Sequence, residues 1–175
     1  MKTIQLKQPD CTLRQITSED KMACWMLPKQ ETHFDRRIKR QTKGRIEYIG
    51  AFLSERAVAH VILDLEDHPK LHAHTNGEKC AYVVDLHVIQ VARRLGIARG
   101  LLQYLEERCE EHGIGWLGLD VNPENNAVAR QLYLDTGYEQ IRELELTTYD
   151  LVDDDGNPFV YEDWCIGLLK RIKPG

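Results

Sequence analysis

Residues 81–121 constrain the fold more than any other stretch of the chain. They carry an apolar strand (81–88), a short turn bearing arginine and glycine, a long amphipathic helix (97–112) and a second apolar strand (116–121). Two strands joined through a helix run parallel, because the crossover brings the chain back to its starting edge before the next strand begins. In the helix Ile97, Leu101, Leu102, Leu105 and Cys109 recur at helical spacing, and Gly113 can end it in the left-handed conformation. A sheet with at least one parallel pair and a helix on its face follows.

The flanking segments supply the rest of the sheet. A short strand is expected near 12–16. Thr17, with Asp20 at the third following position, then starts a helix that stops before Pro28. A second helix is expected over 32–42, with Phe34 and Ile38 one turn apart. Residues 45–53 and 56–65 read as a β-hairpin whose second strand places Ala57, Ala59, Val61, Leu63 and Leu65 on one face. Residues 66–79 are a polar loop in which His68, His72 and His74 lack cysteine partners at ligand spacing. Asn125 or Asn126 opens a last helix running to Thr136, and Gly137 closes it. Strands 138–146 and 159–169 complete the chain around the turn Asp155-Gly156-Asn157-Pro158. The predicted fold is α/β of the mixed α+β kind. One domain spans 1–175, with a mostly antiparallel mixed sheet of about six to seven strands and helices on both faces.

At 175 residues the chain suits one domain with a real apolar core. No apolar run approaches the length of a membrane span, and the first residues lack the apolar stretch of a secretory signal, so a cytoplasmic location is expected. The five cysteines include no CxxC pair, which fits reduced, packed thiols and no metal. A net charge of -5 argues against general nucleic-acid binding. The charge is uneven: Arg36, Arg37, Lys39, Arg40, Lys43 and Arg45 cluster early, and Asp150, Asp153, Asp154, Asp155, Glu162 and Asp163 late. Each cluster reads first as a solvated face.

The turn Arg93-Arg94-Leu95-Gly96-Ile97-Ala98 sits between a strand and a helix N-terminus. Unpaired backbone N–H groups and the partial positive charge there attract anions. Gly96 and Ala98 lack bulk, and Arg93, Arg94 and Arg99 add charge, which is a physical recipe for a pyrophosphate seat; the other reading is an ordinary tight strand-to-helix turn with solvated arginines. The ending of a P-loop and the later glycines of a dinucleotide fingerprint are both missing.

Leu86-His87-Val88 followed by Arg93-x-x-Gly96-x-Ala98 resembles motif A of the GNAT superfamily of N-acetyltransferases. Asn126-x-x-Ala129-x-x-Leu132-Tyr133-x-x-x-Gly137-Tyr138 resembles the same family's motif B, and strand 117–121 lies between the two. The resemblance implies that the backbones of Leu86, His87 and Val88 pair with the pantetheine arm of acetyl-CoA as an added strand would. It implies that Arg93, Arg94, Leu95, Gly96, Ile97, Ala98 and Arg99 form the pyrophosphate turn, and that Asn126 bonds the pantetheine arm. Tyr133 is placed near the sulfur, and the thioester in a wedge between strands ending at Val88 and Val121.

An amine acceptor is mostly an ammonium at neutral pH and must lose a proton before it attacks. Asp120 is the first candidate for general base and Asp85 the second, with Tyr133 as acid toward the thiolate and the Val88 N–H toward the oxyanion. Each group also has a structural reading: Asn126 as a helix cap, Tyr133 as a core aromatic, the aspartates as backbone-bonded carboxylates. Direct transfer from acetyl-CoA (CoA) is expected, without an acyl-enzyme and without metal. The partner is a small-molecule or peptide amine, with a lean toward a small polyamine-like or amino-acid-like acceptor. Neither nucleic acid nor membrane is expected, and a homodimer is left open. The alternative reading is a non-catalytic acyl-CoA-binding or sensing module. A weaker third is a nucleotide-binding protein.

Overall fold

In the computed structural model, residues 2–3, 11–152 and 157–172 are described. The strands are β1 (Lys2–Thr3), β2 (Cys11–Gln15), β3 (Ile46–Leu53), β4 (Arg56–Asp64), β5 (Cys80–Val88), β6 (Trp116–Val121), β7 (Glu139–Val152) and β8 (Pro158–Arg171). The helices are α1 (Gln30–Thr42), α2 (Ile97–Glu111) and α3 (Ala127–Asp135). One eight-stranded sheet runs in the order β1-β2-β3-β4-β5-β6-β8-β7. Among the described residues only the β5–β6 pair is parallel, as the crossover through α2 requires. Seven of the strands match the expected ones. The eighth, two-residue β1, carries too few residues for any alternation to mark it.

Side-chain alternation sorts the sheet into two faces. Tyr48 on β3 contacts Arg37 of α1, and His60 on β4 contacts Gln30 of α1, so α1 covers that face. Glu47, one residue before Tyr48, points the other way, to Arg108 of α2. Lys170 of β8 bonds Glu106 of α2 and lies over the Tyr138 ring, which meets Tyr133 of α3 edge-on. Helices α2 and α3 therefore share the second face. Leu101, Leu102, Leu105 and Cys109, the stripe read from the sequence, are fully buried against it.

The helix expected between Thr17 and Pro28 is replaced by one short 3-10 turn, Ser18–Lys21, followed by further turns. The physical reason lies in one carbonyl. The Ala23 C=O accepts the Ala57 N–H of β4, so the Leu27 N–H that an α-helix would give it bonds Cys24 instead. The Asp20 carboxylate accepts the Thr17 N–H at 2.8 Å and is held by Arg14 at 2.6 and 2.7 Å. Helix α3 also starts differently from expectation, since Asn126 occupies the N-cap position without a side-chain cap bond. Asn122 instead caps the turn ahead of the helix: its Oδ1 accepts the N–H groups of Glu124 and Asn125, each at 3.0 Å.

Glu47 is the most buried ion-paired carboxylate on the α2 face, with a side chain 6% exposed. Burial alone would raise its pKa, but hydrogen bonds from Arg108 and His112 outweigh that and hold it below the ordinary glutamate range. Its contribution to stability is present above the unfolded glutamate pKa and lost as pH falls through the lower folded value. Glu47→Gln should cost on the order of 2–3 kcal/mol, because Arg108 and His112 lose their buried charged partner, while Arg108 keeps Glu111 and reaches some solvent. Urea unfolding at pH 7 measures the cost. The gap between variant and parent should narrow below pH ~4.

Candidate active site

Strands β5 and β6 pair over three positions only: Cys80 with Trp116, Ala81 with Leu117 and Tyr82 with Gly118. Beyond Tyr82 they part, and residues 83–88 face a gap where a ladder would otherwise continue. Backbone groups bordering such a gap need partners, so it can receive an extended, amide-bearing chain as an additional strand. On its other edge β5 pairs with β4 through an irregularity between His60 and Ile62, and Asp85 there is left-handed with φ 54°. A left-handed aspartate inside a strand is strained and must be held in place.

What holds it is a ring of hydrogen bonds on the α1 face. Arg37 donates to Tyr48 Oη at 3.2 Å, Tyr48 donates to Gln30 Oε1 at 3.0 Å, and Gln30 Nε2 reaches His60 Nδ1 at 3.3 Å. His60 Nε2 lies 3.5 Å from Asp85 Oδ2, and Arg37 closes the ring on the same oxygen. That 3.5 Å contact is long for a hydrogen bond, and the nitrogen has no nearer acceptor. His60 is fully buried, and burial lowers its pKa despite Asp85, so its ring is neutral with the proton on Nε2. Burial would raise the Asp85 pKa, but His60 and Arg37 drive it far below the ordinary carboxylate range.

The strand-to-helix turn follows. Arg94 (φ 63°) and Gly96 (φ 84°) are both left-handed, and α2 begins at Ile97. Gly96 is the N-cap and has no side-chain oxygen to occupy the first amides of the helix, which leaves them available to an anion. Backbone that alternates its handedness in this way forms an anion-binding concavity. Arg94, Gly96 and Arg99 are exposed. Arg93 differs from expectation, since its Nε turns back to the Val88 carbonyl at 3.1 Å.

Asp120 lies across the gap on β6. The Arg142 guanidinium reaches its Oδ1 at 2.5 Å and Tyr149 Oη donates to its Oδ2 at 3.0 Å. Tyr82 lies near it on the same face, and burial together with that carboxylate pushes the Tyr82 pKa far up. Gly118 makes this possible: a Cβ there would lie 3.2 Å from the Tyr82 ring and 3.0 Å from Leu71. Tyr149 in turn stacks on Tyr161 at 6.0 Å, and Tyr161 Oη donates to Asp163 at 3.3 Å. The sequence reading missed Tyr82, Arg142, Tyr149 and Tyr161. Gly118 inside an apolar strand was the available signal for Tyr82.

Tyr133 comes from the opposite face. It is 7% exposed, and burial raises its phenol pKa to about 12. Asn126 is exposed at the start of α3. The early basic run is largely consumed within the fold: Arg37 pairs with Asp85, Arg40 with Asp64 and Glu66, and Arg45 with Glu66. Asp153, Asp154 and Asp155 lie outside the described residues. Among the described residues no group of three or more His, Cys, Asp or Glu side chains could hold a metal, and no helix is long and apolar enough to cross a membrane. A groove of about 520 Å³ lies at the far edge of the sheet by Arg14 and Arg108, where both arginines are already paired with carboxylates.

The site thus comprises a gap beside a bulged strand and, beyond it, a helix start whose first amides have no side-chain cap. The GNAT acetyltransferase family model matches residues 12–138. The chain therefore belongs to the GNAT family and is an acetyl-CoA-dependent N-acetyltransferase. Among curated proteins nothing matches it significantly. Its fold is similar to Arabidopsis thaliana NAA60 in complex with a bisubstrate analogue, at TM-score 0.67 and 15% identity over 94% of this chain and 99% of that one. The ribosomal-protein-S18-alanine N-acetyltransferase of Escherichia coli matches at TM-score 0.58 and 19% identity, over 93% and 94% of the two chains. The PaiA N-acetyltransferase of Thermoplasma acidophilum, in complex with coenzyme A, matches at 0.61 and 14%, over 93% and 99%.

The turn yields a direct test. Gly96→Glu should raise the Kd for acetyl-CoA by on the order of 100-fold, since a carboxylate and its bulk would meet the phosphates. A left-handed non-glycine residue costs about 1 kcal/mol, so a drop of a few degrees in Tm with unchanged circular dichroism should accompany it. Calorimetric titration showing parent affinity would remove the phosphates from this turn.

Proposed function

We propose that the protein transfers an acetyl group directly to a primary amine, with the donor arm along β5 and the acceptor arriving on the α1 face. The parting of β5 from β6 carries this reading. An extended donor laid against residues 86–88 would place its thioester inside the sheet, open to both faces.

On the α2–α3 face Tyr133 supplies the acid. Its raised pKa keeps the phenol protonated across neutral and mildly alkaline pH, so it holds a proton for the leaving thiolate. On the α1 face Tyr82, Tyr149 and Tyr161 form an aromatic wall around Asp120 and Asp163. Aromatic faces beside carboxylates suit an ammonium before it is deprotonated. The exposed Trp25 and Met26, in the segment tied to β4 at Ala57, add an apolar rim on the α1 side of the sheet. The wall supports a small-molecule or peptide amine as acceptor. Two of the similar structures are named as N-acetyltransferases, which accords with an amine.

The two carboxylates considered as bases carry different burdens. Asp85 is committed to Arg37 and His60 and is a poor proton acceptor. Asp120 has both oxygens engaged, so an incoming proton would displace Arg142 or Tyr149. We assign Asp120 the task of fixing that tyrosine and that arginine at the mouth of the gap.

Tyr133→Phe should lower kcat by roughly 10- to 10⁴-fold, with acetyl-CoA Kd changed little. The parent kcat should show no falling limb between pH 8 and 10, because Tyr133 keeps its proton there. Thiol release against an amine panel measures both. Parent turnover in the phenylalanine variant would remove Tyr133 from the proton path.

A further inference from the structure

We infer that His87 is the group that takes the proton from the amine acceptor; this rests on the acetyl-transfer reading above. His87 pairs with His60 across β4–β5, so its ring lies on the α1 face, 6.1 Å from the His60 ring. That is the face of Asp120 and the tyrosine wall, opposite the face of Tyr133. His87 lies beyond the point where β5 leaves β6, on the stretch that borders the gap. It is half-buried, and among the described residues its ring takes no side-chain hydrogen bond. Asp85 and Asp120, its carboxylate rivals, are both held by arginines.

Burial and a small set of charged and titratable groups act on the ring. These are His60 from β4, Asp85 from its own strand and Arg93 from the following turn, while Arg37 of α1 is tied to Asp85. Burial lowers the His87 pKa first, the Arg93 guanidinium lowers it further, and Asp85 opposes them, while the neutral His60 ring adds no charge. A neutral imidazole at pH 7 has a lone pair ready to accept a proton.

The steps balance as follows. One N–H bond of the ammonium breaks, and its proton moves to the His87 ring and then to solvent. The freed nitrogen lone pair forms the C–N bond at the thioester carbonyl. The C–S bond breaks, Tyr133 protonates the sulfur, and the second proton lost by the nitrogen restores the phenol through solvent. The products are the amide, the thiol and one proton.

His87→Gln should leave acetyl-CoA Kd within about twofold and lower kcat/KM by about 100-fold at pH 7, measured with spermidine and with an alanine-initiated peptide. The deficit should shrink as pH rises toward the pKa of each amine, where the acceptor is already neutral. Added imidazole should restore part of the rate of His87→Ala. The ring can also be titrated by NMR in the acetyl-CoA complex, without any acceptor, and should be neutral at pH 7. A glutamine variant with the parent's rate and pH profile overturns the inference, as does a ring protonated at pH 7. Loss of acetyl-CoA binding with no imidazole recovery would make His87 a positioning residue and also overturn it. A parent that binds no acetyl-CoA would instead sink the acetyl-transfer reading itself.

Discussion

The site depends on Asp85 staying left-handed. A single residue at φ 54° accommodates the irregularity by which β5 keeps its ladder with β4 along the stretch that has already left β6. The residue alone would not hold that conformation, which is costly for any side chain but glycine. The ring through Arg37, Tyr48, Gln30, His60 and Asp85 draws one helix and three strands onto it. Every member lies in or beside the core, where an unsatisfied polar group is expensive, so the ring is costly to open at any one link. The gap is therefore a property of the folded core, present before any donor arrives.

This explains why the aspartate read as a candidate base is engaged elsewhere. From sequence, a carboxylate three residues before Val88 on a splayed strand looks available. Its availability depends on Arg37, which sits 48 positions earlier on another helix. Charge partners so distant in sequence leave no local pattern. The same holds for Asp120, whose partners Arg142 and Tyr149 come from β7.

What was legible was whatever local spacing determines. The amphipathic stripe of α2, the crossover that makes β5 and β6 parallel, and the small residues at the turn are each written within a few consecutive positions. The helix expected after Thr17 failed because Ala57, far along the chain, takes the Ala23 carbonyl. Asn126 was expected to cap α3, yet Asn122, just before Pro123, caps the turn ahead of it. An asparagine before a proline favours turn initiation, so that signal was present locally and was outweighed by the motif.

Strand β8 pairs with β6 only over 166–171, while its pairing with β7 continues out to Pro158. Among the described residues the outer part of the hairpin is thus a two-stranded ribbon with no third strand beside it. Antiparallel pairing repeats every two residues, so a ribbon can gain or lose one residue pair per strand and keep each remaining side chain on its face. Tyr149 and Tyr161 stand on that ribbon, whereas the donor turn stands on α2, packed into the core. Descendants of this chain could exchange one amine for another by insertion or deletion in the ribbon alone, inheriting the donor half unaltered.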